Sequence, residues 1–235
     1  MQLFFQKDIQ PDSPIILAPE ESKHLTKVLR KSVGDEIHIT DGLGNLYTCK
    51  ITEISPKKTS LSIIEKECTP LSPYHIHLAI APTKNADRIE WMLEKITEIG
   101  FHELSLLKTA HSERSFLKAD RLEKKMISAC KQSLNTRLPI INPLRTYSEF
   151  IKATQNFDGQ KFIAYVDENN QNHLFNLAER KRSYIVLIGP EGDFSEEEIN
   201  QAFENHFQAC SLGHSRLRTE TAGLAAVHSL SLKNF

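Results

Sequence analysis

Two glycine-bearing turns near the C-terminus constrain this chain more than any other feature. The stretches are Ile188-Gly189-Pro190-Glu191-Gly192-Asp193-Phe194 and Leu212-Gly213-His214-Ser215-Arg216-Leu217-Arg218-Thr219-Glu220-Thr221. Each follows an apolar run and each opens a helix. The run before the first, Tyr184–Ile188, is rich in β-branched residues, as buried parallel strands are. Ser195 with Glu198 three residues on predicts a capping box, and Ile199, Ala202 and Phe203 supply the apolar face of the helix that follows. The second run, Ala209–Leu212, leads to a helix that begins near Thr219, with Ala222, Ala225, Ala226, Ser229 and Leu230 on one side. Strand, glycine turn and helix together make ligand crevices in α/β proteins, because glycine lets backbone approach and a helix N-terminus leaves N–H groups free. Either turn alone is equally an ordinary connection. Two of them, one βα unit apart, predict a shared pocket. Neither is a phosphate-cradling fingerprint: Gly-x-x-x-x-Gly-Lys-Ser/Thr and Gly-x-Gly-x-x-Gly are both absent.

Alternating strands and helices over residues 75–235 predict a parallel α/β domain. The strands are His75–Ala81, Leu104–Leu107, Phe162–Val166 and the two pocket strands. Amphipathic helices are expected from Asn85 to Ile99, with Ala86, Ile89, Leu93 and Ile96 inward and Gly100 as the stop, and from Lys118 to Leu134, with Leu122, Met126 and Ala129 inward. Shorter helices are expected over Ser148–Thr154 and His173–Arg180. Residues 1–70 read as a small, mostly β module. Its clearest signal is a hairpin: Ile37–Thr40 and Leu46–Ile51 alternate on either side of Asp41-Gly42-Leu43-Gly44-Asn45. An early helix, Glu20–Lys31, carries the stripe Leu25, Val28 and Leu29, and Leu61–Ile64 is a further strand. Cys68–Tyr74, with two prolines, is the expected linker. Periodicity alone predicts an open, unknotted sheet.

The formal net charge of −1 does not announce a nucleic-acid binder, although a net charge is a sum and not a map. Lys23, Lys27, Arg30 and Lys31 gather on one face of the early helix, either a solvated surface or a phosphate-contacting one. Lys84, Arg88, Trp91 and Lys95 share a face of the next long helix. There a base could stack on Trp91, or Trp91 is half-buried core and the cations pair with Glu90, Glu94 and Glu98. Four scattered cysteines without Cys-x-x-Cys argue against a metal site or a disulfide framework. No apolar run is long enough to span a bilayer and none reads as a signal core, so a cytoplasmic protein is expected.

The paired turns, and above all Leu217-Arg218-Thr219-Glu220-Thr221-Ala222, closely resemble the knotted SPOUT methyltransferases. In particular they resemble the family that methylates N3 of uridine 1498 in 16S ribosomal RNA. The resemblance covers nearly the whole chain. It implies a PUA-like β-barrel over residues 1–70 that helps hold RNA, a methyltransferase domain over 75–235 with a deep trefoil knot formed by the last helix, and a homodimer. The implied cofactor is S-adenosylmethionine, with Leu187, Gly189, Pro190, Gly192, Leu212, Gly213, Leu217, Arg218 and Thr219 around it. The implied partner is 16S rRNA in the small ribosomal subunit, met by Lys27, Arg30, Lys84, Arg88 and Arg114; no membrane or metal is implied. Arg218 and Glu220 are the candidate catalytic residues, Arg218 as an anion stabiliser. Glu220, Glu191 and His214 are candidates for the base that takes the N3 proton. For Glu220 and Glu191 a role as acidic partners of a helix N-terminus is equally open. Three positions depart from the family pattern: Asp193 where Gly is usual, His214 where Pro is usual, and Lys131 where Glu is usual, just ahead of Gln132-Ser133. Asp tolerates a positive φ better than most residues, should the turn need one. Methylation of another atom, such as a ribose 2′-OH, and a non-catalytic RNA-binding role are the alternatives on the same architecture.

Overall fold

The structure, a computed structural model, describes residues 2–10, 13–112, 119–166 and 172–235. The chain divides into two compact units, one of residues Met1–Leu71 with Ile127–Leu138, the other of Ser72–Met126 with Pro139–Phe235.

In the first unit five strands form a sheet of order β1-β3-β4-β5-β2: β1 (Leu3–Phe5), β2 (Ile15–Leu17), β3 (Glu36–Thr40), β4 (Asn45–Ile54) and β5 (Thr59–Cys68). The expected hairpin is β3–β4, paired Ile37↔Cys49 and Ile39↔Tyr47, so Tyr47, Cys49 and Ile51 face the core with Leu61. Two register shifts in β4–β5 bend that pair. The early helix differs from expectation. α1 spans Pro19–Lys23 and passes into a π-helical turn, His24–Val28. The wider turn rotates the later residues off the stripe: Leu25 is buried, but Val28 is 65% exposed. Lys27 and Arg30 are exposed, and Arg30 sits at φ 52°. Residues beyond position 71 complete this unit. The Thr40 hydroxyl donates to the carbonyl of Thr136 at 2.8 Å, Gly44 N–H donates to the same carbonyl at 3.0 Å, and Leu138 N–H donates to Gly42 O at 2.9 Å.

The second unit is built on a six-stranded, all-parallel sheet of order β11-β9-β10-β6-β7-β8. In chain order its elements are β6 (His75–Ile80), α2 (Ala86–Ile99), β7 (Glu103–Lys108), α3 (Ala119–Ser133, whose last residues count with the first unit), β8 (Ile140–Thr146), α4 (Tyr147–Ala153), β9 (Gln160–Ala164), α5 (Leu174–Leu177), β10 (Ser183–Ile188), α6 (Glu196–Glu204), β11 (Gln208–Cys210) and α7 (Thr219–Asn234). The central strands β6 and β10 are buried along almost their whole length, as a parallel sheet covered on both faces requires. The chain lays β7 and β8 to one side of β6 and β10, β9 and β11 to the other, which makes a switch point between β6 and β10. Ile89, Leu93 and Ile96 of α2 are buried as expected, and Gly100 ends the helix at φ 103°. Leu122, Met126 and Ala129 of α3 are buried too.

Three side-chain expectations fail for physical reasons. Phe203 is 42% exposed, because α6 is short and turns only Glu198 and Ala202 fully inward. Trp91 is 45% exposed, not half-buried core, because Met92 fills the inward position beside it. The buried stripe of α7 is Gly223, Ala226, Val227 and Leu230, one step round from the expected alanine side. The helix expected over His173–Arg180 shrinks to the four residues of α5, after which Ala178 is extended.

Candidate functional site

The site is built at the carboxyl ends of β9, β10 and β11. A cavity of about 530 Å³ opens there, within the usual range for small-molecule sites. Its walls are Ala164 to Val166 beyond β9, Ile188 to Glu191 with Asp193 beyond β10, Cys210 to Arg218 beyond β11, and Thr219 and Ala222 at the start of α7. The two glycine turns thus lie on one cavity, as their spacing predicts.

Local chemistry explains why the first turn is rigid. Ser195 and Glu198 form both halves of the predicted capping box at the start of α6. Glu198 also accepts from Ala110 N–H at 2.9 Å, which ties in the loop after β7. Gly189 is buried: a Cβ there would meet Asp193 Oδ1 at 3.2 Å and the Phe194 ring at 3.3 Å. Asp193 adopts φ 62°, the left-handed conformation that Asp tolerates. Its N–H donates to Pro190 O at 3.0 Å, and His111 donates from Nδ1 to its carbonyl at 3.0 Å. The second turn is more open. Gly213 sits at φ 131° with free space where a side chain would project. α7 begins with no side chain capping it, since Arg218 at the N-cap makes no cap bond, so its first N–H groups stay available beside the cavity.

The sequence-derived residues separate into three groups. Gly189, Pro190, Leu212, Gly213, Leu217, Arg218 and Thr219 line the cavity, as do Glu191 and His214. Leu187 does not: it is a fully buried member of the sheet core, because alternation along β10 puts it on the opposite face from Ile188, which does line the cavity. Gly192 does not line it either, since the missing side chain would point at His111 Cβ, 3.1 Å away. Glu220 is buried outside the lining. Its Oε1 lies 3.7 Å from Arg88 Nε, and its Oε2 has no hydrogen-bond partner among the described residues. Lys84, at the start of α2, donates its backbone N–H to Glu191 Oε1 at 3.3 Å. Of the cations on α2, Lys95 pairs as the second sequence reading has it and Arg88 pairs with Glu220 instead; Arg121 of α3, expected only to face outward, pairs with α2. Arg121 binds Glu90 at 2.6 Å and Asp87 at 2.9 Å, and Lys95 reaches Glu94 and Glu98, each at 2.8 Å. Lys27 and Arg30 belong to the first unit. Arg114 lies outside the described residues, as do Glu113, Ser115 and Lys118.

Sequence reasoning missed Ala164, Tyr165 and Val166. The apolar run that ends there carried the same strand signal as the other two pocket strands, but it lacks a glycine. Cys210 also lines the cavity, and burial pushes its thiol up to about 12, so it stays protonated and inert. No group of three or more metal-binding side chains occurs among the described residues, and no described helix is long and apolar enough to cross a membrane.

Known proteins are similar to this chain over nearly its whole length. A crystal structure of a probable rRNA-methyltransferase from Porphyromonas gingivalis is 38% identical, with a TM-score of 0.91 over 99% of both chains. A ribosomal RNA small subunit methyltransferase E from Neisseria gonorrhoeae, crystallised with S-adenosyl methionine, is 28% identical, with a TM-score of 0.85 over 99% of this chain and 97% of that one. The Bacillus subtilis protein named ribosomal RNA small subunit methyltransferase E is 27% identical over 98% of this chain and 96% of its own. Residues 17–64 match the RNA methyltransferase PUA domain. Residues 70–231, more than half of the chain, match the RNA methyltransferase domain, and the chain belongs to that family.

Proposed function

We propose that this protein transfers a methyl group from S-adenosylmethionine to N3 of a uridine in small-subunit ribosomal RNA, the position equivalent to uridine 1498, and that it does so in the cytoplasm as a homodimer. The observation that carries the reading is the cavity bounded by both glycine turns and by the uncapped start of α7. The names of its relatives support the donor and the RNA class.

The residues present suit such a donor. Gly189 and Gly213 admit close backbone approach, Pro190, Leu212, Leu217 and Val166 give apolar walls, and the first N–H groups of α7 suit a carboxylate or ribose oxygens. When bound, S-adenosylmethionine supplies an electrophilic methyl carbon on a sulfonium. The chain's work is then largely positioning. In this reading Arg218, exposed on the cavity wall, stabilises negative charge on the uracil oxygens. The N3 proton needs an acceptor, and of the three sequence candidates only Glu191 and His214 face the cavity. Glu220 in this reading holds Arg88 rather than the proton.

The test is incubation with labelled donor and small ribosomal subunits that lack the modification, followed by nucleoside mass spectrometry. 3-Methyluridine is expected. A 2′-O-methyl nucleoside, or no transfer at all, would overturn the proposal. Lys27 and Arg30, exposed in the PUA-matching unit, are proposed phosphate contacts. Reversing both to Glu should weaken RNA binding and flatten its salt dependence in a filter-binding titration.

A further inference from the structure

We infer that Asp193 is a positioning residue for the donor cavity: its carboxylate clamps the end of β9 to the first glycine turn and sets the distance between those two walls. This rests on reading the cavity as a methyl-donor site.

The sheet itself cannot hold these walls together. The β9–β10 ladder ends at the pair Ala164↔Ile188, and both strands then diverge into the cavity lining. Beyond that point Val166 N–H has no strand to bond. It donates instead to Asp193 Oδ2 at 2.9 Å. The other carboxylate oxygen, Oδ1, accepts Phe194 N–H at 2.8 Å, within the turn. One side chain, itself in the wall of the first turn, therefore accepts from the end of β9 with one oxygen and from its own turn with the other, through charge-assisted bonds. The backbone of Asp193 is held from two further directions, by Pro190 O and by the His111 ring. At φ 62° glycine would satisfy the turn with less strain. What Asp adds over glycine is the pair of acceptors.

Two variants of the full chain separate the acceptors from the turn. Asp193→Asn tolerates the same φ but keeps a single acceptor oxygen. Asp193→Gly keeps the turn and has neither. In amide hydrogen exchange without any donor, protection at Val166 should fall on the order of tenfold in Asp193→Gly, and less in Asp193→Asn. In steady-state methyl transfer, KM for S-adenosylmethionine should rise in the same order, by about tenfold for Asp193→Gly, while kcat and KM for the RNA change little. A residue that served the fold alone would lower thermal stability without this split. Native exchange at Val166 in Asp193→Gly overturns the clamp. Faster exchange at Val166 without a rise in donor KM overturns its role in positioning. A native chain that binds no donor in calorimetry overturns the reading of the cavity, and in that case exchange at Val166 still decides whether the clamp exists.

Discussion

His77 on β6 is enclosed. Its Nε2 meets Ser105 Oγ at 2.8 Å, its Nδ1 lies 3.6 Å from Glu103 Oε2, and the Phe150 ring packs edge-on against it. Burial holds its pKa down to about 4 from 6.5, against the pull of Glu103, with His75 and Arg145 adding to the lowering. Glu103 is held at about 2, chiefly by its bond to His75. The signs follow. The unfolded chain takes up the His77 proton near pH 6.5 and the folded one only near 4, so this residue withdraws stability as pH falls through that window. Glu103 contributes stability above about 4.5 that is lost towards 2. A loss on the order of 3 kcal/mol between pH 7 and 4 is expected from His77, and His77→Gln should flatten it in urea melts across that range. At the cavity, Gly189→Val should abolish donor binding, since even a Cβ already crowds Asp193 and Phe194; unchanged affinity in calorimetry would contradict the site. Gly189 was legible in the sequence only because a second glycine turn lies one βα unit further on. The bonds that Asp193 makes were not, because they depend on Val166, a residue 27 positions earlier that only the sheet brings near.

At the level of elements, long periodic segments were readable and short or irregular ones were not. α2, α3, β6 and β10 fall within a residue or two of expectation, because each carries enough apolar positions to define a period. β1 and β2 have three residues each, too few for alternation to register. β8 escaped because Pro143 interrupts it, which is tolerated on a strand at the edge of the sheet. The inward side of α7 was misread because its closest contact uses no side chain. A Cβ on Gly223 would sit 2.6 Å from Met92 Sδ and 3.1 Å from Ile80 Cδ1, so α7 approaches α2 and β6 through the missing group. Ala has the better helix propensity by about 1 kcal/mol, but overpacking costs roughly 1–3 kcal/mol. Gly223→Ala should therefore lower stability by on the order of 1 kcal/mol in denaturant titration. Met92→Ala alone should cost roughly 2–5 kcal/mol for the cavity it leaves, but in that background Gly223→Ala should no longer lower stability further.

For the molecule as a whole, the division into a β unit and an α/β unit was legible from the change of period near Cys68–Tyr74. The return of residues 127–138 to the first unit was not, because nothing in a helix sequence says which body its last turns join. That segment supplies the bonds to Thr40, Gly42 and Gly44, and Lys131 pairs with Glu21. Residues 1–71 expressed alone should therefore give broad, poorly dispersed NMR spectra, whereas the full chain shows them folded. A well-dispersed spectrum from the short piece would refute this.

The same closure imposes an order on biosynthesis. The nascent chain exposes its first seventy residues well before it exposes the segment that completes them. At about 5–20 residues per second, the incomplete sheet waits several seconds, with the backbone groups that meet Thr136 and Leu138 still open to solvent and to other strands. Chains stalled on the ribosome with residue 71 just outside the tunnel should be cut readily by protease within residues 1–71, and those stalled with residue 138 just outside it should resist cutting in that stretch.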